Sequence, residues 1–109
     1  KIVDVSPRGK ALNIIDAGIR ARFRKGENNP PEFIEPNKVE KYEIKIGNMS
    51  YFIQPNHQIR IEVTSSNFPR YDINSNLAGE GKPGEYQTAD QSIFHTKDYP
   101  SHLVLPVYK

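Results

Sequence analysis

The feature that most constrains the fold is a strict alternation of apolar and charged residues in separate segments. In residues 19–24, Ile19, Ala21 and Phe23 alternate with arginines, and residues 41–46 and 59–64 repeat the pattern. Because successive side chains of a strand point to opposite faces, a period of two predicts strands with one buried and one solvated face. The predicted inward residues of the later segments are Tyr42, Ile44, Ile46, Ile59, Ile61 and Val63.

Turn-forming clusters separate these segments, at residues 6–9, 25–31, 35–37 and 54–57. They are rich in proline, glycine and asparagine, which preset or tolerate turn dihedral angles. Further strands are predicted at residues 1–5, 89–96 and 103–108. No segment keeps a helical spacing over ten residues, so at most a single helical turn is expected. The sequence therefore predicts an all-β antiparallel sandwich or barrel.

Composition agrees with one β-sandwich module over residues 1–109. Twelve isoleucines and six valines outnumber four leucines and one methionine, and β-branched side chains favour strands. A length of 109 residues fits a single domain. Since residues 1–5 already have the pattern of a strand, we expect the chain to be part of a longer protein.

Charge and hydropathy argue against two classes of partner. The net charge of +2 comes from 15 basic and 13 acidic residues spread along the chain, which gives no strong field to attract nucleic acid or anionic lipid. No run approaches the roughly 20 apolar residues of a membrane helix, and no basic-then-apolar leader opens the chain. We expect neither a nucleic-acid nor a membrane partner. The absence of cysteine excludes disulfides but leaves the compartment open.

Candidate catalytic groups are few. No serine lies in the glycine-flanked elbow that lifts a nucleophile out of a hydrolase sheet. Ser101 with His102, and Asp90 with Ser92 and His95, are conceivable triad fragments, but ordinary strand and loop roles explain them better. We expect no catalytic residue in this chain and no enzyme activity of the chain alone.

Metal sites are not expected either. The chain has three histidines on separate segments, without the paired spacing of a structural zinc site: His57, His95 and His102. Asp72, Asn74 and Asn76 have the spacing of the first ligands of a calcium loop, but Leu77 replaces its glycine and Pro83 its glutamate. We expect these Asp and Asn side chains to stiffen a loop, with no metal or other cofactor bound.

The arginines at positions 20, 22 and 24, with Arg60, are a candidate phosphate grip. Glu43 and Glu62 are predicted to lie outward on neighbouring strands, so cross-strand ion pairs on a solvated or domain-facing sheet are the favoured interpretation. A basic groove with interleaved aromatics, which single-strand binders need, is not evident.

Four motifs in order carry a resemblance to a known family. Residues 1–11 contain an Asp-Val-x-Pro-x-Gly turn, and residues 16–24 are Asp-Ala-Gly-Ile-Arg-Ala-Arg-Phe-Arg. Residues 59–76 run from a strand into Ser-Ser-Asn-Phe-Pro-Arg-Tyr-Asp, and residues 99–107 are Tyr-Pro-Ser-His-Leu-Val-Leu-Pro-Val. Together they resemble the C-terminal β-domain of X-Pro dipeptidyl-peptidase and cocaine esterase type serine hydrolases.

The resemblance implies a jelly-roll sandwich of galactose-binding-like topology, of which this chain would carry the C-terminal half. It implies an accessory module of a bacterial serine hydrolase, cytoplasmic or secreted, that acts on amide or ester bonds. The module would pack on and shape the active site of an α/β-hydrolase catalytic domain absent from this chain. Half a sandwich leaves strand edges uncovered, so self-association through those edges is a further expectation.

By the same resemblance, the loop over residues 67–76 is the candidate interface with the catalytic domain. Phe68 and Pro69 are expected to be its apolar anchors, and the polar residues between positions 67 and 76 are expected to hold the polar contacts. The full set of interface residues is Asn67, Phe68, Pro69, Arg70, Asp72, Asn74 and Asn76.

A free-standing carbohydrate-binding module is the alternative function. Galactose-binding-like sandwiches often bind sugars through exposed aromatic side chains beside polar groups. The candidate aromatics are Tyr51, Phe52, Tyr71 and Tyr86. The absence of tryptophan and of an aromatic cluster in the sequence disfavours this alternative.

Overall fold

A three-stranded antiparallel sheet organises the fold in a computed structural model that describes residues 1–79 and 82–108. Strands β1 (Ile2–Val5), β2 (Ala11–Ile15) and β3 (Gln58–Ile61) lie in the order β2-β1-β3. The one helical element of these residues is a 3₁₀ turn, Ala21–Phe23. The predicted all-β class is confirmed, while the sandwich, jelly-roll and galactose-binding-like topology stay predictions.

β1 and β2 form a hairpin closed by the turn that the sequence predicts at residues 6–9. The Ser6 amide donates to the Lys10 carbonyl (2.9 Å), and the Gly9 amide donates to the Ser6 carbonyl (2.8 Å). Gly9 has a φ of 80°, a left-handed conformation that glycine adopts without steric penalty. A register shift between Ile2 and Val3 interrupts the period of two, which is why alternation did not predict β2.

β3 adds to the other side of β1 from a distant part of the chain. The pairing places Ile61 opposite Ile2 and Ile59 opposite Asp4, so these residues share one face of the sheet. The Glu62 amide donates to the Lys1 carbonyl (2.9 Å), which extends the ladder by one pair. The strand predicted over residues 59–64 therefore exists, but it is shorter than predicted.

The core of the sheet is small. Within the described ranges, the residues buried as a whole are Ile2, Val3 and Asp4, all in β1. Ile59, Ile61 and Val63, which were predicted to point inward, are 45%, 51% and 58% exposed. That prediction is wrong for the chain by itself, because Tyr51 and His57 cover this face at Asp4 and the described residues leave the three apolar side chains half-exposed.

The prediction of a strand over residues 19–24 is also wrong. The Phe23 amide donates to the Arg20 carbonyl (2.9 Å), and the Arg24 amide donates to the Ala21 carbonyl (3.2 Å), which forms the 3₁₀ turn. The Arg24 side chain folds back on the same turn, with Nη1 donating to the Ala21 carbonyl (3.3 Å). This local bonding replaces the strand partners that the alternating pattern would need.

Residues 41–46, 89–96 and 103–108 form no strand either, so those predictions are wrong. Alternation indicates which side chains share a face, but a strand also needs a partner for its backbone groups. The described residues from 89 onward contain one isolated antiparallel bridge, between His95 and Pro100. The predicted turn at residues 54–57 is present, closed by a bond from the His57 amide to the Gln54 carbonyl (3.1 Å).

The chain divides into two compact units, Lys1–Ile73 and Asn74–Lys109. The first contains the sheet. In the second, the Gln87 amide donates to the Ser75 carbonyl (2.8 Å), and the rings of Phe94 and Tyr99 lie 5.4 Å apart. A single sandwich module over residues 1–109 stays a prediction. No helix in the described residues has the length and apolar character to cross a membrane.

We predict that Ile2→Ala lowers the free energy of unfolding of the chain by about 2–4 kcal/mol, because it opens a cavity beside the central strand. Leu12→Ala removes the same number of carbon atoms from a side chain that is 53% exposed, and it should cost less than about 1 kcal/mol. Urea denaturation of both variants measures the difference. Equal losses would show that β1 is not the centre of the core.

Candidate functional site

The candidate interface loop is tied to the segment that follows β2. Asp16 accepts a hydrogen bond from Asn67 Nδ2 (3.3 Å) through Oδ2 and from Arg70 Nη1 through Oδ1. The Asp16 side chain is only 10% exposed, whereas that of Arg70 is 58% exposed. A nearly buried carboxylate thus holds both ends of the short segment from Asn67 to Arg70.

Tyr71 completes this anchorage. Its amide donates to the Asn67 carbonyl (3.1 Å), which closes a turn, and Arg70 Cζ lies 5.7 Å from the centre of the Tyr71 ring. The ring lies against the backbone of Gly18, where a Cβ atom would come within 3.4 Å of Tyr71 Cε2. Two segments about fifty residues apart in sequence, residues 16–18 and 67–71, therefore form one built surface.

The middle of the loop points away from this anchorage. Phe68 is 66% exposed, and Pro69 and Asp72 are also exposed. The peptide bond between Phe68 and Pro69 is cis. The loop therefore uses Asn67 and Arg70 within the chain and leaves its apolar residues available to a partner.

Asn74 and Asn76 belong to the second unit and bond to each other. Asn74 Nδ2 donates to Asn76 Oδ1 (2.7 Å), and Asn76 Nδ2 donates to the Gln87 carbonyl (2.8 Å). Asn76 has a φ of 59°, a conformation that asparagine tolerates better than most residues. The two asparagine side chains therefore bond within this loop, as the sequence predicts, while a stiffening role of Asp72 stays a prediction. The structure does not bring these asparagines together with Phe68 in one unit.

A second polar cluster was not predicted from the sequence. Asp4 is 4% exposed in the centre of β1, and it accepts a hydrogen bond from the Tyr51 hydroxyl at Oδ2 (2.8 Å). His57 Nδ1 lies 2.7 Å from Asp4 Oδ1, so the ionised carboxylate fixes the imidazole through that nitrogen. The sequence contains one indication of this cluster: Asp4 is a charged residue on the same strand face as Ile2, in an otherwise apolar strand.

The two hydrogen bonds set the ionisation of this cluster. The pKa of Asp4 is lowered, first by the bond from Tyr51 and then by His57, although desolvation opposes the shift. The pKa of Tyr51 is raised, because its hydroxyl donates to Asp4 and deprotonation would put two negative charges together. The cluster clamps the segment containing Tyr51 and His57 to the central strand.

Arg24 and Arg60 form ion pairs other than the cross-strand pairs predicted from the sequence. Arg60 Nη2 pairs with Glu62 Oε1 (2.7 Å) two residues away, and Arg24 pairs with Glu32 and Glu40 rather than with Glu43. An open cleft of about 480 Å³ lies beside Arg24. No serine, histidine or aspartate is among the described residues that line it.

The Ser101 and His102 fragment that resembled part of a catalytic triad has ordinary contacts. His102 Nδ1 lies 2.8 Å from the Pro100 carbonyl oxygen, and the Ser101 amide donates to the Tyr99 carbonyl (3.1 Å). Of the candidate sugar-binding aromatics, Tyr51 bonds to Asp4 and Tyr71 lies on Gly18. These side chains serve the fold of the first unit.

Comparison with known proteins identifies the family of the chain. Residues 1–104 match the X-Pro dipeptidyl-peptidase C-terminal non-catalytic domain. The chain belongs to this family, so the resemblance carried by the four motifs is confirmed. The family description also confirms that the domain alone is not catalytic.

A curated relative gives the scale of the match. Cocaine esterase from Rhodococcus sp. (strain MB1 Bresler) is 38% identical over 112 aligned positions, which cover 100% of this chain and 19% of the esterase. The chain therefore spans about a fifth of the length of this relative. No solved structure matches the chain significantly.

We predict a specific pH dependence for the Asp4 cluster. Because the pKa of folded Asp4 is lowered, its contribution to stability is present above its unfolded pKa of about 3.9 and is lost as the pH falls through the folded value. Asp4→Asn should therefore flatten the fall in unfolding free energy between about pH 5 and pH 2. Urea denaturation at a series of pH values tests this, and equal slopes for both proteins would contradict it.

Tyr51→Phe serves as the matched variant for the same cluster. Removing the hydroxyl takes away the main cause of the lowered Asp4 pKa, so the acid slope should weaken without being abolished. The raised Tyr51 pKa makes a contribution that is present below about pH 10 and lost as the pH rises through the folded value. That alkaline loss should disappear in Tyr51→Phe.

Proposed function

We propose that this chain is an accessory β-domain of a serine hydrolase of the X-Pro dipeptidyl-peptidase or ester hydrolase type. Its partner is the α/β-hydrolase catalytic domain of the same protein. Two findings support this: the family match over residues 1–104, and the small share of the esterase that the chain covers. The name of that relative supports hydrolysis of an ester bond, and the family description supports hydrolysis of a peptide bond, as the activity of the parent protein.

The observation that carries the proposal is the exposed Phe68 on an anchored loop. A phenylalanine that is 66% exposed contributes little to the domain itself, but its burial in a partner contributes about 1.5–3 kcal/mol. Asp16 holds the loop through Asn67 and Arg70, which reduces the conformational entropy lost on docking. The loop is therefore suited to rest on another domain.

Docking of this loop would shape the active site by fixing the position of the part of the catalytic domain that the loop contacts. Phe68 and Pro69 supply an apolar contact that excludes water, and exposed Asp72 supplies a polar contact at its rim. No atom of the loop takes part in the bond-breaking step. Its contribution is to position the catalytic domain's own residues and substrate, where small displacements have large effects on rate.

Self-association is a second proposal for the same module. β2 and β3 are the outer strands of the three-stranded sheet in the described residues. An unpaired strand edge is a template for another strand, either from the parent protein or from a second copy. Sedimentation analysis of the full-length parent over a range of concentrations distinguishes these cases, since only the second gives a concentration-dependent mass.

We predict that Phe68→Ala in the full-length parent lowers kcat/KM about tenfold, which corresponds to about 1.4 kcal/mol of lost docking. Phe52→Ala is the matched control, because Phe52 is 72% exposed and lies outside the loop. Chromogenic X-Pro and ester substrates measure both variants. An unchanged kcat/KM in Phe68→Ala would refute the role of the loop, whereas turnover by the isolated 109-residue chain that is lost on substituting Ser92 or Ser101 would refute the accessory role altogether.

A further inference from the structure

Arg24 donates more side-chain hydrogen bonds than any other cation of the first unit, and these bonds hold a loop in place. Its side chain is 4% exposed. Nη1 donates to the Glu32 carbonyl (2.9 Å), and Nη2 donates to the Phe33 carbonyl (3.4 Å) and to Glu40 Oε1 (3.3 Å). One guanidinium group therefore binds both the start and the end of the segment over residues 32–40, which is named here the arginine-held loop.

The backbone and the charges of the loop reinforce this arrangement. The Glu32 amide donates to the Arg22 carbonyl (2.8 Å), so the loop is also joined to the 3₁₀ turn through the main chain. The hydrogen bond from Arg24 is the main reason that the pKa of Glu40 is lowered. Burial of an arginine is costly unless its charge is paired, and the buried Arg24 Nε has no partner. The free-energy cost of burying Arg24 therefore accompanies the bonds that hold this surface loop in place.

The arginine-held loop displays two consecutive apolar side chains. Phe33 is 63% exposed and Ile34 is 48% exposed. The acidic residues on either side of them are neutralised, since Glu32 pairs with Lys25 (2.7 Å) and Glu35 pairs with Lys38 (3.1 Å). The tip of the loop is therefore apolar and carries no net charge.

We propose that Phe33 and Ile34 form a second docking point, which inserts into an apolar socket on the hydrolase catalytic domain of the same protein. Arg24 is the positioning residue that presents them. This inference rests on the partner named in the proposed function, but it uses a different surface from the loop around Phe68. A rigid, preformed pair of apolar anchors is the kind of feature that concentrates binding energy at an interface.

Size and charge favour a domain of the same protein as the occupant. One phenylalanine buries about 150–250 Å², whereas a stable complex between separate proteins buries about 800 Å² on each side. A pair of side chains this small is effective only for a tethered partner, whose effective concentration reaches the millimolar range. The 19% share of the esterase that this chain covers leaves room for such a partner, and a neutral tip does not suit a polyanion.

Photo-crosslinking in the full-length parent protein tests this docking point. The crosslinking amino acid p-benzoylphenylalanine replaces Phe33 in one sample, Phe68 in a second and Phe52 in a third. Phe52, which is 72% exposed, controls for unspecific capture. We expect the probe at position 33 to link, within one molecule, to a peptide of the α/β-hydrolase catalytic domain, at a yield at least fivefold above the control. A yield equal to the control, a product of twice the monomer mass, or linkage to the remaining part of the β-domain overturns the inference.

The two loops give separable outcomes. Linkage from position 33 without linkage from position 68 supports this inference and refutes the proposed role of the loop around Phe68. The reverse result overturns this inference and leaves the proposed function standing, and failure of both refutes both.

Arg24→Lys tests the positioning role. Lysine keeps the charge but cannot form the same set of bonds to two carbonyls and a carboxylate. The yield from position 33 should fall at least threefold while the yield from position 68 stays constant, which also reports that the domain remains folded. Glu40→Gln, which removes the negative charge beside Arg24 but keeps an acceptor oxygen, should lower the yield less. An unchanged yield in both variants excludes Arg24 as the positioning residue.

Discussion

The fold depends on a buried carboxylate at the centre of its sheet. Asp4 lies between the two pairing partners of β1, and its burial is tolerated because Tyr51 and His57 satisfy both of its oxygens. Without these bonds, an ionised group among Ile2 and Val3 would oppose the burial of the strand itself. The same bonds connect the sheet to the segment that leads into β3, so one interaction organises both the core and the chain path.

The two proposed docking loops share one physical design. In each, a charged side chain of low exposure bonds to loop groups, Asp16 to Asn67 and Arg70, and Arg24 to the carbonyls of Glu32 and Phe33. Each loop then exposes a phenylalanine. Short strands and a small core give these loops little support from packing, so ionic and hydrogen bonds hold them in place.

The sequence predicted the fold class, the family and the local turns, but few of the strands. Residues 6–9 and 54–57 were predictable because proline, glycine and asparagine determine turns through short-range sterics. Residues 19–24 were not, because alternation ignores the capacity of Arg24 to bond its own turn and a distant loop. The pairing of Asp4 with His57 joins residues 53 positions apart, and no local pattern encodes such a contact. For the candidate interface loop, motif position selected the segment, but only coordinates separate inward-bonded Arg70 from exposed Phe68.

The connectivity of the sheet has a consequence for the order in which it assembles. β1 and β2 are neighbours in sequence and meet through a tight turn, whereas β3 joins β1 only after about fifty intervening residues have been brought together. Closing a loop of that length costs about 3.5 kcal/mol of chain entropy, which the hairpin largely avoids. The hairpin can therefore nucleate early, with β3 arriving late in the folding reaction. During synthesis, residues 1–15 would wait with one bare strand edge until residue 61 has left the ribosome, and this interval is when wrong pairing is most dangerous.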